Sequence, residues 1–230
     1  MTAEAGAAPA PFACVWDMDG VLVDSGVAHK AAWTALAHEL GYTWSDAIHT
    51  QTFGMRNPDI IRLAWGVTEP AGQVATWGDR KEALFREQAR ALEPLPGAAA
   101  LVRGLQVRGW RQAVGSSAPL ANVTLLLDVL GLADCFDAIV SGDDIRHGKP
   151  DPEVFRTALE RLETPPARGV VIEDAVAGVE AGVAAGALTV GVTNTRPRAD
   201  LVAAGAHLVV DSLTEIDAAA LERRVRERAA

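Results

Sequence analysis

The sequence predicts an α/β protein built as a doubly wound parallel sheet, with a helical segment inserted after its first strand. Three observations predict it. From Gly97 onward, short apolar runs alternate with helix-period stretches, the pattern of strands joined by crossover helices. The first apolar run, from Cys14, ends abruptly in Asp17-Met18-Asp19-Gly20, as a buried parallel strand does where its carboxyl end opens into a site. Between Val27 and Leu92 the spacing stays helical, with no strand alternation.

The inserted segment is built from recognisable pieces. Ala28, Ala31, Ala32, Ala35, Leu36 and Leu40 recur at helical spacing, and Gly41 supplies a C-terminal stop. Asn57-Pro58 reads as a cap and first-turn proline for a helix over Asn57–Trp65, and a longer helix is expected over Pro70–Leu92. Trp33, Trp44, Trp65 and Trp77 fall here, and such large aromatics are expected to pack as the core of a small helical unit rather than to stack on a sugar. Pro94-Leu95-Pro96-Gly97 is stiff enough to serve as a hinge. The expected division is therefore a core of residues 1–25 and 94–230 and a helical cap of residues 26–93. A lid so placed would exclude water from the sheet edge when closed.

Beyond Gly97 a helix over Ala98–Val107 leads to a strand over Arg111–Gly115, and a helix beginning near Pro119 leads to a strand over Phe136–Val140. Asp151-Pro152 caps a helix whose Val154, Phe155, Ala158, Leu159 and Leu162 form one apolar stripe. Val170-Val171-Ile172 is a short buried strand, Ala175–Ala184 a helix of small residues and Leu188–Val192 another strand. His207–Val210 reads as an edge strand, and Leu213–Arg228 as a closing helix with basic residues toward its C-terminal end.

Composition narrows the class. At 230 residues the chain can bury a substantial core, and 49% hydrophobic against 22% charged residues is the balance of a soluble globular protein. A net charge of -9 argues against nucleic acid or an anionic membrane as partner, so an anionic substrate needs locally placed positive charge. Cys14 and Cys135 have no metal-ligand spacing and read as reduced core thiols, as in a cytoplasmic protein. Residues 1–11 hold no basic residue and no uninterrupted apolar core, so they read as a frayed tail rather than a signal peptide. No apolar run reaches the roughly 18 residues of a membrane span. No protein partner can be read from the sequence.

Asp17 and Asp19 flank one residue, so extended backbone sends both to one side, where they repel unless a cation or a proton intervenes. Ser116, Lys149 and the pair Glu173-Asp174 each lie just beyond an apolar run, and in a doubly wound sheet such loops share one edge. Taken singly, each has a plain reading: a polar turn, a helix cap, a solvated lysine. Taken in order, DMDGVLVDS, VGSS, GKPDP and IEDAVAGVEAG resemble the four motifs of the haloacid dehalogenase superfamily, and the resemblance spans nearly the whole chain.

The resemblance implies roles. Asp17 corresponds to the nucleophile that forms an aspartyl-phosphate, and Asp19 to the acid that protonates the leaving oxygen and then activates water. Ser116, with Ser117 beside it, and Lys149 correspond to phosphate-binding residues. Four carboxylates, Asp17, Asp19, Glu173 and Asp174, at one edge call for a hard cation, Mg²⁺. By resemblance Asp17 and Asp174 bind it through side chains, Asp19 through its backbone carbonyl, and Glu173 directly or through water. Repulsion from Asp17 is expected to favour a protonated Asp19.

The substrate implied is a small phosphorylated metabolite, a sugar phosphate or a phosphoglycolate-like ester. Dehalogenating relatives lack an acid two residues past the nucleophile, so Asp19 favours phosphate esters. A phosphonate-cleaving relative uses a lid lysine, but Lys30 and Lys81 stand in no such pattern and read as solvated helix charges. Among lid-bearing groups the chain is similar to the one containing β-phosphoglucomutase. His29 matches its hinge-proximal histidine and Arg56 its lid arginine, either of which also has a plain structural reading. Phe53 stands where the mutase pattern has a lysine, and Ala118-Pro119-Leu120 where it has Ser-Lys-Asn. Hydrolysis is therefore expected first, phosphomutase activity second, and a non-catalytic binding protein third.

Overall fold

The computed structural model describes residues 11–52, 55–68 and 70–229, and the expected tail lies, apart from Pro11, outside the described residues. A six-stranded, all-parallel sheet forms the centre, in the order β3-β2-β1-β4-β5-β6. Its strands are β1 (Ala13–Trp16), β2 (Arg111–Gly115), β3 (Ala138–Val140), β4 (Gly169–Glu173), β5 (Leu188–Val192) and β6 (Leu208–Val210). The predicted edge strand is indeed β6, and the doubly wound architecture is the one expected.

The strand alternation explains both layers. Cys14 and Trp16 of β1, with Val170, Ile172 and Val190, face α5 (Ala98–Val107), α6 (Leu120–Val129) and α10 (Ala218–Ala229). Ala13 and Val15, with Ala113 and Val171, face the other way, against α7 (Glu153–Arg161) and α8 (Val176–Ala184). Period two along each strand thus divides the apolar residues between two helical layers. Inside the first layer, Gln112 is fully buried yet satisfied, accepting from Trp16 Nε1 and donating to the Val102 and Cys135 carbonyls. Cys14 lies in the core, where burial pushes its thiol up.

Between β1 and α5 the chain forms α1 (Gly26–Leu40), α2 (Asp46–Thr52), α3 (Asn57–Trp65) and α4 (Ala71–Gln88). Where the chain leaves and rejoins the sheet, Val23 bridges Pro94 and the Leu95 N–H donates to the Leu22 carbonyl, so both connections run side by side. The tryptophans pack on one another: Trp33 stacks on Trp44 at 5.0 Å, Trp65 meets Trp33 edge-on at 5.8 Å, and Trp77 meets Trp65 at 6.1 Å. Gly97 is required where this segment ends, because its φ is +85° and a Cβ there would sit 2.5 Å from the Thr214 nitrogen.

Several element limits differ from expectation. The short helices α2 and α9 (Arg198–Ala203) were not expected. The helix over Pro70–Leu92 stops at Gln88 and tightens into a 3₁₀ turn over Ala89–Ala91. The strand over Phe136–Val140 begins only at Ala138, after a 3₁₀ turn at Ala133–Cys135. The closing helix is interrupted: Ser212 and Glu215 make a capping box around a 3₁₀ turn, and Asp217 then caps α10 by accepting from the Ala220 N–H at 2.7 Å. Side-chain capping competes with helix continuation there, and apolar spacing does not register that competition.

Candidate active site

At the centre of the sheet Trp16 pairs with Val114 on one side and Ile172 on the other, so the chain beyond β1 emerges between the ends of β2 and β4. Connections to β1 wind in opposite senses on its two sides, the place where a parallel sheet opens a crevice. Asp17 remains tied to the sheet through its N–H, which donates to the Ile172 carbonyl at 3.0 Å. Ser116 follows β2, Glu173 ends β4, and Asp174 comes next. Lys149 arrives from the loop beyond β3.

The side chains meet. Lys149 Nζ donates to Asp17 Oδ1 at 2.5 Å and to Glu173 Oε1 at 2.7 Å, and lies 4.7 Å from the Phe155 ring centroid. Glu173 Oε2 accepts from the N–H groups of Asp174 and Ala175, each at 2.8 Å. Two glycines make room for the carboxylates. A Cβ on Gly178 would fall 1.7 Å from Glu173 Oε1, and one on Gly20 would fall 1.9 Å from Asp174 Oδ2. Gly20 also has φ +82°, so the turn behind the first carboxylates needs glycine twice over. Asn194 donates to the Gly20 carbonyl at 2.7 Å, and Thr195 to the Asp174 carbonyl at 3.3 Å, bracing the turn from beyond β5.

Asp17, Glu173 and Asp174 each offer a carboxylate oxygen within 4.8 Å of the others, and all three residues are buried. Burial raises the Asp17 carboxyl, Lys149 pulls it back, and the charges of Glu173 and Asp19 push it up again, to about 7. Asp174 is raised well above the usual range by burial and by the charges of Glu173 and Asp17. For Lys149, burial works against the ammonium, but Asp17 and Glu173 outweigh it and lift it above an ordinary lysine. Three buried carboxylates against one ammonium leave negative charge unbalanced. All the free ligand atoms are oxygens, which is the chemistry of a hard divalent cation such as Mg²⁺.

Asp19 corrects two expectations. Its carboxylate does not join the other three: the strand ends at Trp16, the chain turns, and Asp19 Oδ1 instead accepts the Ser25 hydroxyl and faces His29 Nε2 at 3.5 Å. Burial pushes the Asp19 carboxyl up, but His29, Ser25 and the Lys81 charge together hold it below its ordinary value. Asp17, not Asp19, is the carboxyl driven toward protonation, because Asp19 lies on the side of the Ser25 hydroxyl, the His29 ring and, behind that ring, the Lys81 ammonium.

Lys81 is a further correction. Expected to be a solvated charge, it is buried, with its Nζ 2.8 Å from His29 Nδ1, 2.9 Å from Glu82 Oε1 and 5.5 Å from the centroids of Trp33 and Phe85. The signal for it existed: Lys81 lies seven residues beyond Val74 and just before Leu84-Phe85, on the buried stripe of α4. His29 stacks on Phe85 at 4.0 Å. Lys30 behaves as read, half-exposed and paired with Asp46.

The remaining expected residues are less engaged. Ser116 is buried and its hydroxyl accepts from the Ala118 N–H at 3.0 Å, so the turn it caps is preformed, while Ser117 is exposed. Arg56 is 70% exposed on its side chain and pairs with Asp59 at 3.6 Å, and no contact among the described residues joins it to the cluster. Phe53 lies outside the described residues.

A sequence profile of haloacid dehalogenase-like hydrolases matches residues 13–186. The chain is 30% identical over 178 residues to a phosphorylated carbohydrates phosphatase of Thermotoga maritima, covering 76% of this chain and 81% of that one. It is also 30% identical over 203 residues to the β-phosphoglucomutase of Bacillus subtilis, covering 83% and 88%. Among solved structures, CbbY from Rhodobacter sphaeroides in complex with phosphate superimposes with a TM-score of 0.82 at 26% identity, over 92% of this chain and 99% of that one. Among the described residues no helix is long and apolar enough to cross a membrane.

Proposed function

The chain belongs to the haloacid dehalogenase-like hydrolases, and from that premise we propose that it hydrolyses the phosphate monoester of a small phosphorylated carbohydrate, with Asp17 as nucleophile and Mg²⁺ as cofactor. One observation carries the reading: Lys149 bridges Asp17 and Glu173 at the point where Asp17, Glu173 and Asp174 converge. An ammonium beside a buried nucleophilic carboxylate favours its ionised form against burial and neutralises the transferring phosphoryl group.

The chain's own residues then divide the work. Asp17 bonds to phosphorus as the ester P–O bond breaks, and Asp19, which its contacts hold ionised and which must therefore first take up a proton, gives that proton to the leaving oxygen. Asp19, now a carboxylate, takes a proton from water, whose oxygen bonds to phosphorus and releases Asp17 and inorganic phosphate. The Ser25 and His29 contacts suit the second half, because they stabilise Asp19 as a base. Ser116, Ser117 and Lys149 are the phosphate-holding set. Asp17, Glu173, Asp174 and the Asp19 carbonyl would hold Mg²⁺, which when bound supplies charge neutralisation to the phosphoryl oxygens.

The relative from Bacillus subtilis keeps a mutase reading in view. Against it, Ala118, Pro119 and Leu120 offer no cation, and the Leu120 N–H is already taken by Asp143 at 2.9 Å. Arg56, at the rim of the helical segment, is the residue left for a distal phosphate. The deciding experiment measures inorganic phosphate released from a panel of sugar phosphates and phosphoglycolate, with Mg²⁺ and with chelator. Release that needs Mg²⁺ and vanishes in D17N supports hydrolysis. Conversion of β-glucose 1-phosphate to glucose 6-phosphate without net release would make the chain a mutase, and neither activity would overturn the reading.

A further inference from the structure

We propose that Glu82 is a positioning residue for Asp19, fixing the Lys81 ammonium and through it the tautomer of His29, and anchoring that chain of contacts to the core helix α6 through Asn122. The inference rests on the reading of Asp19 as the proton carrier.

The chemistry of the contacts sets their direction. An ammonium donates and cannot accept, so Lys81 at 2.8 Å obliges His29 Nδ1 to be an acceptor. With Nδ1 accepting, the ring proton is on Nε2, the nitrogen that lies 3.5 Å from Asp19 Oδ1. A ring with the other tautomer would turn a lone pair toward the Asp19 carboxylate and a proton toward the ammonium. Lys81 therefore decides which face His29 shows to Asp19, and Glu82 decides where Lys81 lies.

Glu82 is suited to that task by the nature of its neighbours. Its Oε1 accepts from Lys81 Nζ at 2.9 Å and from Asn57 Nδ2 at 2.8 Å, and its Oε2 accepts from Asn122 Nδ2 at 2.5 Å. All three partners donate, so a group with two accepting oxygens is required. The Asn122 amide is held at both ends, since its Oδ1 accepts from Arg86 Nη1 at 2.8 Å, one turn beyond Glu82 on α4.

Placement explains why such a network would be used. Lys81 and Glu82 are both buried, and burial works against the Lys81 ammonium while Glu82 supports it. Asn122 is buried on α6, the helix that follows Ser116-Ser117. A continuous polar path thus runs from the phosphate-side helix α6, through Glu82 and Lys81 on α4, to His29 on α1 and on to Asp19. Its members come from both the helical segment and the core, so the His29 contact on Asp19 is tied to the docking of the two, while Ser25 holds Asp19 from its own side.

Glu82→Gln is the test, because it keeps the shape and removes one acceptor and the charge. With ¹⁵N-labelled histidine, and the His29 signal identified by its loss in His29→Gln, the expected spectrum has the His29 proton on Nε2, redistributed in E82Q. A His29 protonated on Nδ1 in the parent protein, or an unchanged signal in folded E82Q, overturns the proposal. In phosphate release, E82Q is expected to lower kcat about tenfold or more with KM little changed. In a His29→Gln background the same substitution should matter less than about threefold, because Glu82 acts through His29. Equal losses in both backgrounds would show that Glu82 acts on the fold alone. Should E82Q not fold, Glu82→Asp, which keeps the charge and shortens the reach, is judged by the same two readouts. If the parent protein releases no phosphate from any ester, the hydrolase reading falls while the histidine spectrum still tests the contacts.

Discussion

Replacing Lys149 by methionine removes a buried ammonium from between two carboxylates while keeping much of its stem. Its Nζ lies 2.5 Å from Asp17 and 2.7 Å from Glu173, with side-chain exposures of 11%, 10% and 1% for the three residues. Breaking a buried pair by deleting one partner costs about 3–5 kcal/mol, because the orphaned charge stays desolvated. For a chain of this length each kcal/mol moves Tm by roughly 2–4 °C, so metal-free K149M should melt about 10 °C below the parent at pH 8. The penalty depends on pH. Asp17, already raised to about 7, takes up a proton as the pH falls through that value, and without Lys149 its carboxyl climbs further. The protonated carboxyl no longer needs the ammonium, so at pH 5 the difference should shrink to less than half. Thermal unfolding in chelator at the two pH values measures both effects, and phosphate release should drop by about 10²–10³. A fall in Tm under about 3 °C at pH 8, or an equal fall at both pH values, would refute the electrostatic account of the cluster.

Three other outcomes are expected. Gly20→Ala combines a left-handed φ with a Cβ 1.9 Å from Asp174 Oδ2, so it should weaken Mg²⁺ binding more than about tenfold, as titration calorimetry would show; unchanged affinity would mean that Asp174 is free to move. Because Asp17 is raised to about 7, Asp174 is raised as well, and the cation must displace their protons, Mg²⁺ should bind at least about tenfold more weakly at pH 6 than at pH 8 and release protons on binding, read from calorimetry in buffers of different ionisation enthalpy; equal affinity at both pH values would contradict this. Asp19→Asn should reduce kcat by about 10²–10⁴ while leaving Mg²⁺ affinity within about threefold, since its side chain faces Ser25 and His29 rather than the carboxylate cluster; a loss below tenfold would argue against its role.

The parallel, doubly wound sheet follows from alternation the sequence displays openly, apolar runs of strand length separated by helical stripes, whereas the strand order that places Asp17 between Ser116 and Glu173 came from the structure. Asp17, Glu173 and Asp174 were legible for the same reason, because each interrupts the pattern at a strand end, and Lys149, in the loop beyond β3, through the GKPDP motif. Lys81 and Glu82 were less so. They sit in the middle of a helix among Arg80 and Arg86; spacing from Val74 and Phe85 puts Lys81 on the apolar stripe, but a charged residue on a helix is usually solvated, and the partners that hold the pair buried come together only by packing.

By itself the sequence determined the fold class, the family likeness and the four loops that meet at one edge, since all of these are carried by local period and by order along the chain. The tertiary structure alone decided how the two aspartates differ. Met18 separates them by one position, yet Asp17 turns toward Glu173 and Lys149 while Asp19 turns toward Ser25 and His29. The carboxyl each presents is set by surrounding charge, and most of that charge comes from residues distant in sequence that only the folded chain brings near.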